Sequence, residues 1–213
     1  MLFDIQIAAQ FTEKLLEIEA IKLNPNKPFT WASGWRSPIY CDNRLTLSYP
    51  AIRKFIKNNL AEIVRQKFPQ TEIVAGVATA GIPHGLLVAE HLGLPFIYVR
   101  SEAKKHGLTN LIEGKLAHGN KVVVIEDLIS TGGSSLKAVE AVRNAGGYVT
   151  GLAALFSYAI DIAEHAFHVA DCPFYTITDY PNIIQYAITH GILPANTQIL
   201  LESWRKNPEV WTN

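Results

Sequence analysis

The chain has 213 residues, of which 48% are hydrophobic, and its 19 Lys and Arg are balanced by 19 Asp and Glu. That length and composition suit one domain with a substantial core, and the cancelled charge gives no global field for nucleic acid or an anionic membrane, so any anion site must be local. Cys41 and Cys172 lie far apart and form no metal-ligand spacing, no apolar run nears the roughly 18 residues of a membrane span, and the N-terminal stretch lacks a basic segment followed by an apolar signal core. These features predict a cytoplasmic protein with no membrane and no nucleic-acid partner.

From residue 4 to about 20, Ile5, Ala8, Phe11, Leu15, Leu16 and Ile18 recur at three- and four-residue intervals, which predicts an amphipathic opening helix. Asn24-Pro25-Asn26-Lys27-Pro28 breaks it, and residues 29–31 and 38–41 read as short strands around a Ser33-Gly34 turn, a small antiparallel flap. As packing residues, Trp31, Trp35 and Tyr40 would simply cover a core edge. Residues 49–68 form a second amphipathic helix ending before Pro69. Residues 73–77 are a buried strand, Ala78-Thr79-Ala80-Gly81 a tight loop, residues 83–90 a helix opening on Pro83, and residues 94–99 the next strand. The main-chain N–H groups of the loop at Thr79, Ala80 and Gly81 offer a candidate anion site; the alternative is an ordinary tight crossover.

Residues 100–120 carry Arg100, Lys104, Lys105, His106, Lys115 and His118 in a glycine-punctuated stretch too long for an ordinary connection, either a lid or a solvated charged loop. Arg100, Lys104 and His106 supply two fixed positive charges and one titratable donor, a set suited to a departing pyrophosphate.

The stretch that organises the chain comes next. Val122-Val123-Val124-Ile125 reads as a strand buried on both faces, with Glu126 and Asp127 where the run meets solvent or ligand. Leu128-Ile129-Ser130-Thr131-Gly132-Gly133-Ser134-Ser135 then leads into a helix marked by Leu136, Val139 and Val142. Loop N–H groups and the positive end of that helix converge on an anion, while Gly132 and Gly133 allow close approach. No Lys follows the last Gly, and no Gly-x-Gly-x-x-Gly is present, so neither a nucleotide-triphosphatase loop nor a dinucleotide fingerprint applies. Two carboxylates beside a phosphate cradle suit a sugar phosphate, its vicinal hydroxyls on Glu126 and Asp127 and its 5-phosphate over residues 130–134. Residues 148–156 and 174–178 read as strands, and residues 161–167, 182–190 and 196–206 as helices. The alternation from residue 72 onward predicts an α/β fold, a mostly parallel sheet flanked by helices, with the candidate loops gathered at its carboxyl edge. His165 and His168 near Asp161 and Asp171 lack a third ligand at a convincing interval.

The central stretch resembles the phosphoribosyl pyrophosphate (PRPP) motif of the type I phosphoribosyltransferases. Trp31-Ala32-Ser33-Gly34-Trp35-Arg36-Ser37-Pro38-Ile39-Tyr40-Cys41-Asp42-Asn43-Arg44 and Tyr98-Val99-Arg100-Ser101-Glu102-Ala103-Lys104-Lys105-His106-Gly107 narrow the resemblance to the orotate phosphoribosyltransferase family. It covers nearly the whole chain and implies a single phosphoribosyltransferase domain over residues 1–213. The N-terminal helix and flap, about residues 1–48, would be a hood over the base, and residues 49–213 the core. It further implies PRPP binding by Arg100, Lys104, His106, Glu126, Asp127, Leu128, Ile129, Ser130, Thr131, Gly132, Gly133, Ser134, Thr79, Ala80 and Gly81. Orotate would meet Ser130, Tyr40 and Arg36, and Arg100, Lys104, His106 and Asp127 would be catalytic. Mg2+ would be held mainly by substrate and water near Glu126 and Asp127, and the protein would be a homodimer whose 100–110 loop serves the neighbouring site.

The chain departs from relatives at four places: Ala32 and Ala80 stand where some carry Lys, Ser101-Glu102 where many carry a basic residue at one of the two, and Ser157 where some carry an Arg for the orotate carboxylate. Arg36, Arg44 or main-chain groups would then bind that carboxylate. A phosphoribosyltransferase for a purine and a PRPP-sensing regulator that binds nucleic acid are the rival readings. The 31–44 stretch argues against the first, and zero net charge with an intact Arg/Lys/His loop against the second.

Overall fold

The computed structural model describes residues 1–31, 33–102 and 111–211. The chain opens with helix α1 (Ile5–Glu17), whose Asp4 cap accepts from the backbone N–H groups of Gln6 and Ile7 at 2.8 and 2.9 Å. Four short strands follow: β1 (Ile21–Leu23), β2 (Phe29–Thr30), β3 (Arg36–Ser37) and β4 (Ile39–Cys41). They make two antiparallel ribbons, β2 with β3 and β1 with β4, rather than the single flap expected from the sequence. Pro38 divides the second half of the flap, and the Ser37 hydroxyl, donating to the Ile39 carbonyl at 2.8 Å, closes a local turn around it. The two halves therefore turn to different partners, and β1 is too short to announce itself by periodicity.

A 3-10 stretch (Asn43–Ser48) leads into α2 (Pro50–Lys67), followed by β5 (Ile73–Val77), α3 (Gly81–Leu92), β6 (Phe96–Val99), β7 (Ile112–Glu113) and β8 (Lys121–Ile129). Then come α4 (Gly133–Asn144), β9 (Tyr148–Ser157), α5 (Asp161–Val169), β10 (Phe174–Asp179), α6 (Tyr180–Thr189) and α7 (Gln198–Lys206). The main sheet runs β10-β9-β8-β5-β6-β7, parallel throughout except for the edge strand β7, which the charged 100–120 stretch had concealed.

The β-branched run of β8 is buried on both faces, as its composition predicts. Val123 and Ile125 join Phe11, Leu15, Ile56 and Leu60 on one side of the sheet, and Val122 and Val124 join Val139, Val142 and Phe167 on the other. The strand does not stop at the acids, however. Because β9 runs as far, pairing continues from Glu126 opposite Ala154 to Ile129 opposite Ser157. Two helices also begin earlier than periodicity suggested, α3 at Gly81 and α4 at Gly133. Pro83 therefore lies within a first turn, where no backbone N–H is needed.

The C-terminal segment closes the N-terminal ribbons onto the sheet. Trp204 of α7 is fully buried, its ring 5.7 Å from Trp31, 5.8 Å from Tyr158 and 5.0 Å from Tyr180, and its Nε1–H donates to the Arg36 carbonyl at 2.8 Å. Among the described residues no helix is long and apolar enough to cross a membrane.

Candidate active site

The parallel sheet brings the ends of β5 and β8 to one cleft of about 330 Å³. One wall is Ala78, Thr79 and Ala80; the floor is Glu126, Asp127 and Leu128, with Ser134 of α4 beside them; the far wall is the 41–44 segment that starts at the end of β4. A second hollow of about 560 Å³ shares Ala78 and Ser134 and extends to Arg100, Ser101 and Lys137. A further hollow of about 580 Å³, around Phe167, Cys172, Pro173 and Phe174, touches none of the predicted site residues.

The two acids are not equivalent. Glu126 is only 4% exposed, and its oxygens are engaged from within the protein: one accepts from the Asp127 backbone N–H and the other from the Ser135 hydroxyl, both at 3.1 Å. Burial, followed by the neighbouring Asp127 charge, pushes the Glu126 carboxyl well above the usual range. Burial also raises Asp127, opposed by Glu126 and by the Arg44 cation. The pair titrates as a unit, and the more buried Glu126 keeps its proton to higher pH. The sequence places both acids where the strand meets solvent or a ligand; Asp127 is the acid open to the cleft, whereas Glu126 is set into its floor.

The wall opposite is tied to this strand. The Asn43 amide donates to the Asp127 carbonyl at 2.7 Å and accepts from the Cys41 thiol at 3.3 Å. Arg44 grips Asp42 through two bonds, Nε to Oδ1 at 2.6 Å and Nη2 to Oδ2 at 2.8 Å, which holds Asp42 below its ordinary range. Asn43 went unremarked in the sequence because nothing local marks an amide as a bridge to a strand 84 residues away. Tyr40 and Arg36 are exposed on the ribbons and do not line the cleft, although Cys41 and Asp42 beside them do.

Gly132 caps α4 at φ +83, a conformation L side chains rarely adopt. The first N–H groups of this 12-residue helix, beginning at Gly133 and Ser134, have no partner within it and point with the helix dipole toward the cleft. Ser130 and Thr131 are half-buried in the approach; Ile129 is wholly buried in the core and can offer only its backbone. Across the cleft, a Cβ on Gly81 would lie 2.5 Å from the Ile125 carbonyl oxygen, so glycine is what allows α3 to start against β8.

Arg100 follows β6, with its N–H bonded to the Leu111 carbonyl at 2.8 Å and its guanidinium 3.6 Å from the Glu113 carboxylate. Lys104 and His106, like Ala32, lie outside the described residues. Of the residues singled out in the sequence, the cleft brings together Thr79, Ala80, Glu126, Asp127, Leu128 and Ser134; Gly81 and residues 130–133 adjoin it in the chain without lining it, and Arg100 and Gly133 line the neighbouring hollow. Among the described residues no group of three or more His, Cys, Asp or Glu is arranged to hold a metal. The cleft instead offers hard carboxylate oxygens, which suit an ion whose remaining ligands are water and phosphate.

The phosphoribosyl transferase domain family matches residues 47–187. An orotate phosphoribosyltransferase from Porphyromonas gingivalis is 56% identical over 198 residues, 93% of this chain and 94% of that protein. One from Listeria innocua is 52% identical over 207 residues, 97% and 99% of the two chains. Among solved structures, orotate phosphoribosyltransferase from Aeropyrum pernix superposes with a TM-score of 0.74 at 27% identity, covering 86% of this chain and 99% of that one. With fold, cleft and full-length similarity in agreement, the chain belongs to the phosphoribosyl transferase family, in its orotate phosphoribosyltransferase branch.

Proposed function

We propose that this enzyme transfers the phosphoribosyl group of PRPP to N1 of orotate in the cleft between Asp127, the 79–81 loop and the N-terminus of α4. The products are orotidine 5-monophosphate and pyrophosphate, a step of pyrimidine biosynthesis leading to UMP. The observation that carries this placing is the meeting, in one cleft, of a paired acid and two loops rich in main-chain donors. Ribose hydroxyls lie on Asp127 and Glu126, and the 5-phosphate on residues 130–134, which holds C1 against the attacking nitrogen. Breaking the C1–O bond builds oxocarbenium character on the sugar, as at other glycosidic centres, and negative charge on the leaving group. Asp127 faces the former; Arg100, Lys104, His106 and the 79–81 loop receive the latter, with His106 or Lys104 supplying a proton to the departing pyrophosphate.

The ribbons and α1, about residues 1–48, form the hood over the base, where Tyr40, Arg36 and Ser130 meet orotate. Mg2+ fits the hard-oxygen character of the cleft. Asp127 and Glu126 would hold it through its water shell, and when bound it neutralises charge on pyrophosphate. The working unit is a cytoplasmic homodimer in which the 100–110 loop closes over the partner's site.

Loss of orotate absorbance on adding PRPP and Mg2+ tests the reading, and no loss overturns it. Turnover of hypoxanthine in place of orotate would support the purine alternative, and full activity in excess chelator would remove the metal. Mixed dimers of Lys104→Ala with Asp127→Asn subunits should regain activity; absence of rescue would assign each loop to its own subunit.

A further inference from the structure

Ser135 lies one residue beyond the lining of the cleft and is fully buried. Its hydroxyl donates to the Glu126 carboxyl at 3.1 Å, so one side-chain bond ties β8, which carries the acids, to the first turn of α4, whose N-terminus faces the phosphate position. The only covalent route between these elements is the 130–132 turn, which includes Gly132, an intrinsically permissive residue. With the other Glu126 oxygen taken by the Asp127 N–H, the carboxyl is held in one orientation, its position set relative to the helix as well as to the strand.

We infer that Ser135 is a positioning residue for the ribose phosphate: its bond to Glu126 fixes the separation between the acids that take the sugar hydroxyls and the helix end that takes the 5-phosphate. This rests on the placing of PRPP proposed above. It makes a selective prediction, because only ligands that span both subsites sense the separation. PRPP and orotidine 5-monophosphate do so; inorganic pyrophosphate, which has neither ribose nor 5-phosphate, does not.

The test is calorimetric titration of the full-length protein in Mg2+ with each of these three compounds, using wild type, Ser135→Ala and Ser135→Cys. The Cys variant keeps the shape of the side chain and replaces the hydroxyl with a much weaker donor. Loss of a buried bond to an acidic group should weaken PRPP and orotidine 5-monophosphate by about tenfold or more in both variants. Pyrophosphate binding should stay within about twofold of wild type, and Ser135→Ala should add nothing in a Glu126→Ala background. A Cys variant that binds like wild type overturns the inference, since shape alone would then suffice. Equal weakening of all three ligands, or additivity with Glu126→Ala, does the same. If the Ala variant does not fold, the Cys variant decides. Wild type that fails to bind PRPP at all overturns the placing itself, an outcome distinct from any failure of Ser135.

Discussion

Replacing Gly132 by Ala tests the phosphate turn directly, because two independent costs meet there. The first is conformational: at φ +83 a residue with a Cβ is destabilised by roughly 1–2 kcal/mol. The second is steric, since that Cβ would sit 2.9 Å from Cε2 and 3.3 Å from Cδ2 of Phe167. Phe167 is 1% exposed and packs against Phe174 with the ring centroids 4.6 Å apart, so it cannot swing into solvent, and overpacking of this kind costs about 1–3 kcal/mol. Together they come to about 2–5 kcal/mol, a large share of the 5–15 kcal/mol by which domains are usually stable, and correspond to a melting point lower by roughly 10 °C. If the turn instead rotates to relieve the clash, stability survives but the N–H groups of α4 lose their aim, and the KM for PRPP rises. Gly133→Ala is the control for the melting point, because its Cβ would meet nothing in the protein nearer than Thr131 Oγ1 at 4.0 Å. Melting curves and steady-state kinetics on both variants decide the matter. A Gly132→Ala protein with wild-type melting point and wild-type KM for PRPP would refute the reasoning.

Asp127→Asn should lower kcat by on the order of a hundredfold while leaving the melting point within a few degrees, since the carboxylate is already disfavoured by burial; unchanged turnover would take Asp127 out of the chemistry. Trp204→Phe keeps an aromatic ring against Trp31 and Tyr158 but loses the 2.8 Å bond to the Arg36 carbonyl, a loss of about 1–3 kcal/mol in denaturant unfolding. Its KM for orotate should rise while that for PRPP stays put, and parallel rises in both would show that the ribbons do not act on the base alone. His84, 1% exposed with neither ring nitrogen partnered among the described residues, has its pKa lowered by burial from 6.5 to about 4. The unfolded chain therefore binds the extra proton first, so this contribution, at most about 3 kcal/mol, is present above pH 6.5 and is lost as pH falls toward 4. His84→Leu should flatten that part of the stability profile and be no less stable than wild type at neutral pH; an unchanged acid slope would contradict the assignment.

The features legible in the sequence are those that depend on near neighbours in the chain. Four β-branched residues in a row require a strand buried on both faces, and small hydroxylic residues with paired glycines before Leu136 require a tight turn into a helix. Alternation of such segments requires a parallel sheet, which places Thr79, Asp127 and Ser134 at one edge whatever the details. What the sequence did not disclose depends on partners distant in the chain. Where β8 ends is decided by the length of β9, and which acid is open to the cleft is decided by Ser135 reaching back to Glu126. The ribbon pairing of β1 with β4, the Asn43 bridge to Asp127 and the clasp of Trp204 on Arg36 join segments that carry no mark of one another. By itself, then, the sequence determined the main helices and the long strands of the sheet, their order and the chemistry of the turn between β8 and α4, though not the short strands β1 and β7, because backbone preferences and periodic burial act over a few residues. Only the tertiary structure decided the unequal burial of the two acids and the seating of the ribbons, because desolvation and hydrogen bonding depend on which surfaces the folded chain brings into contact.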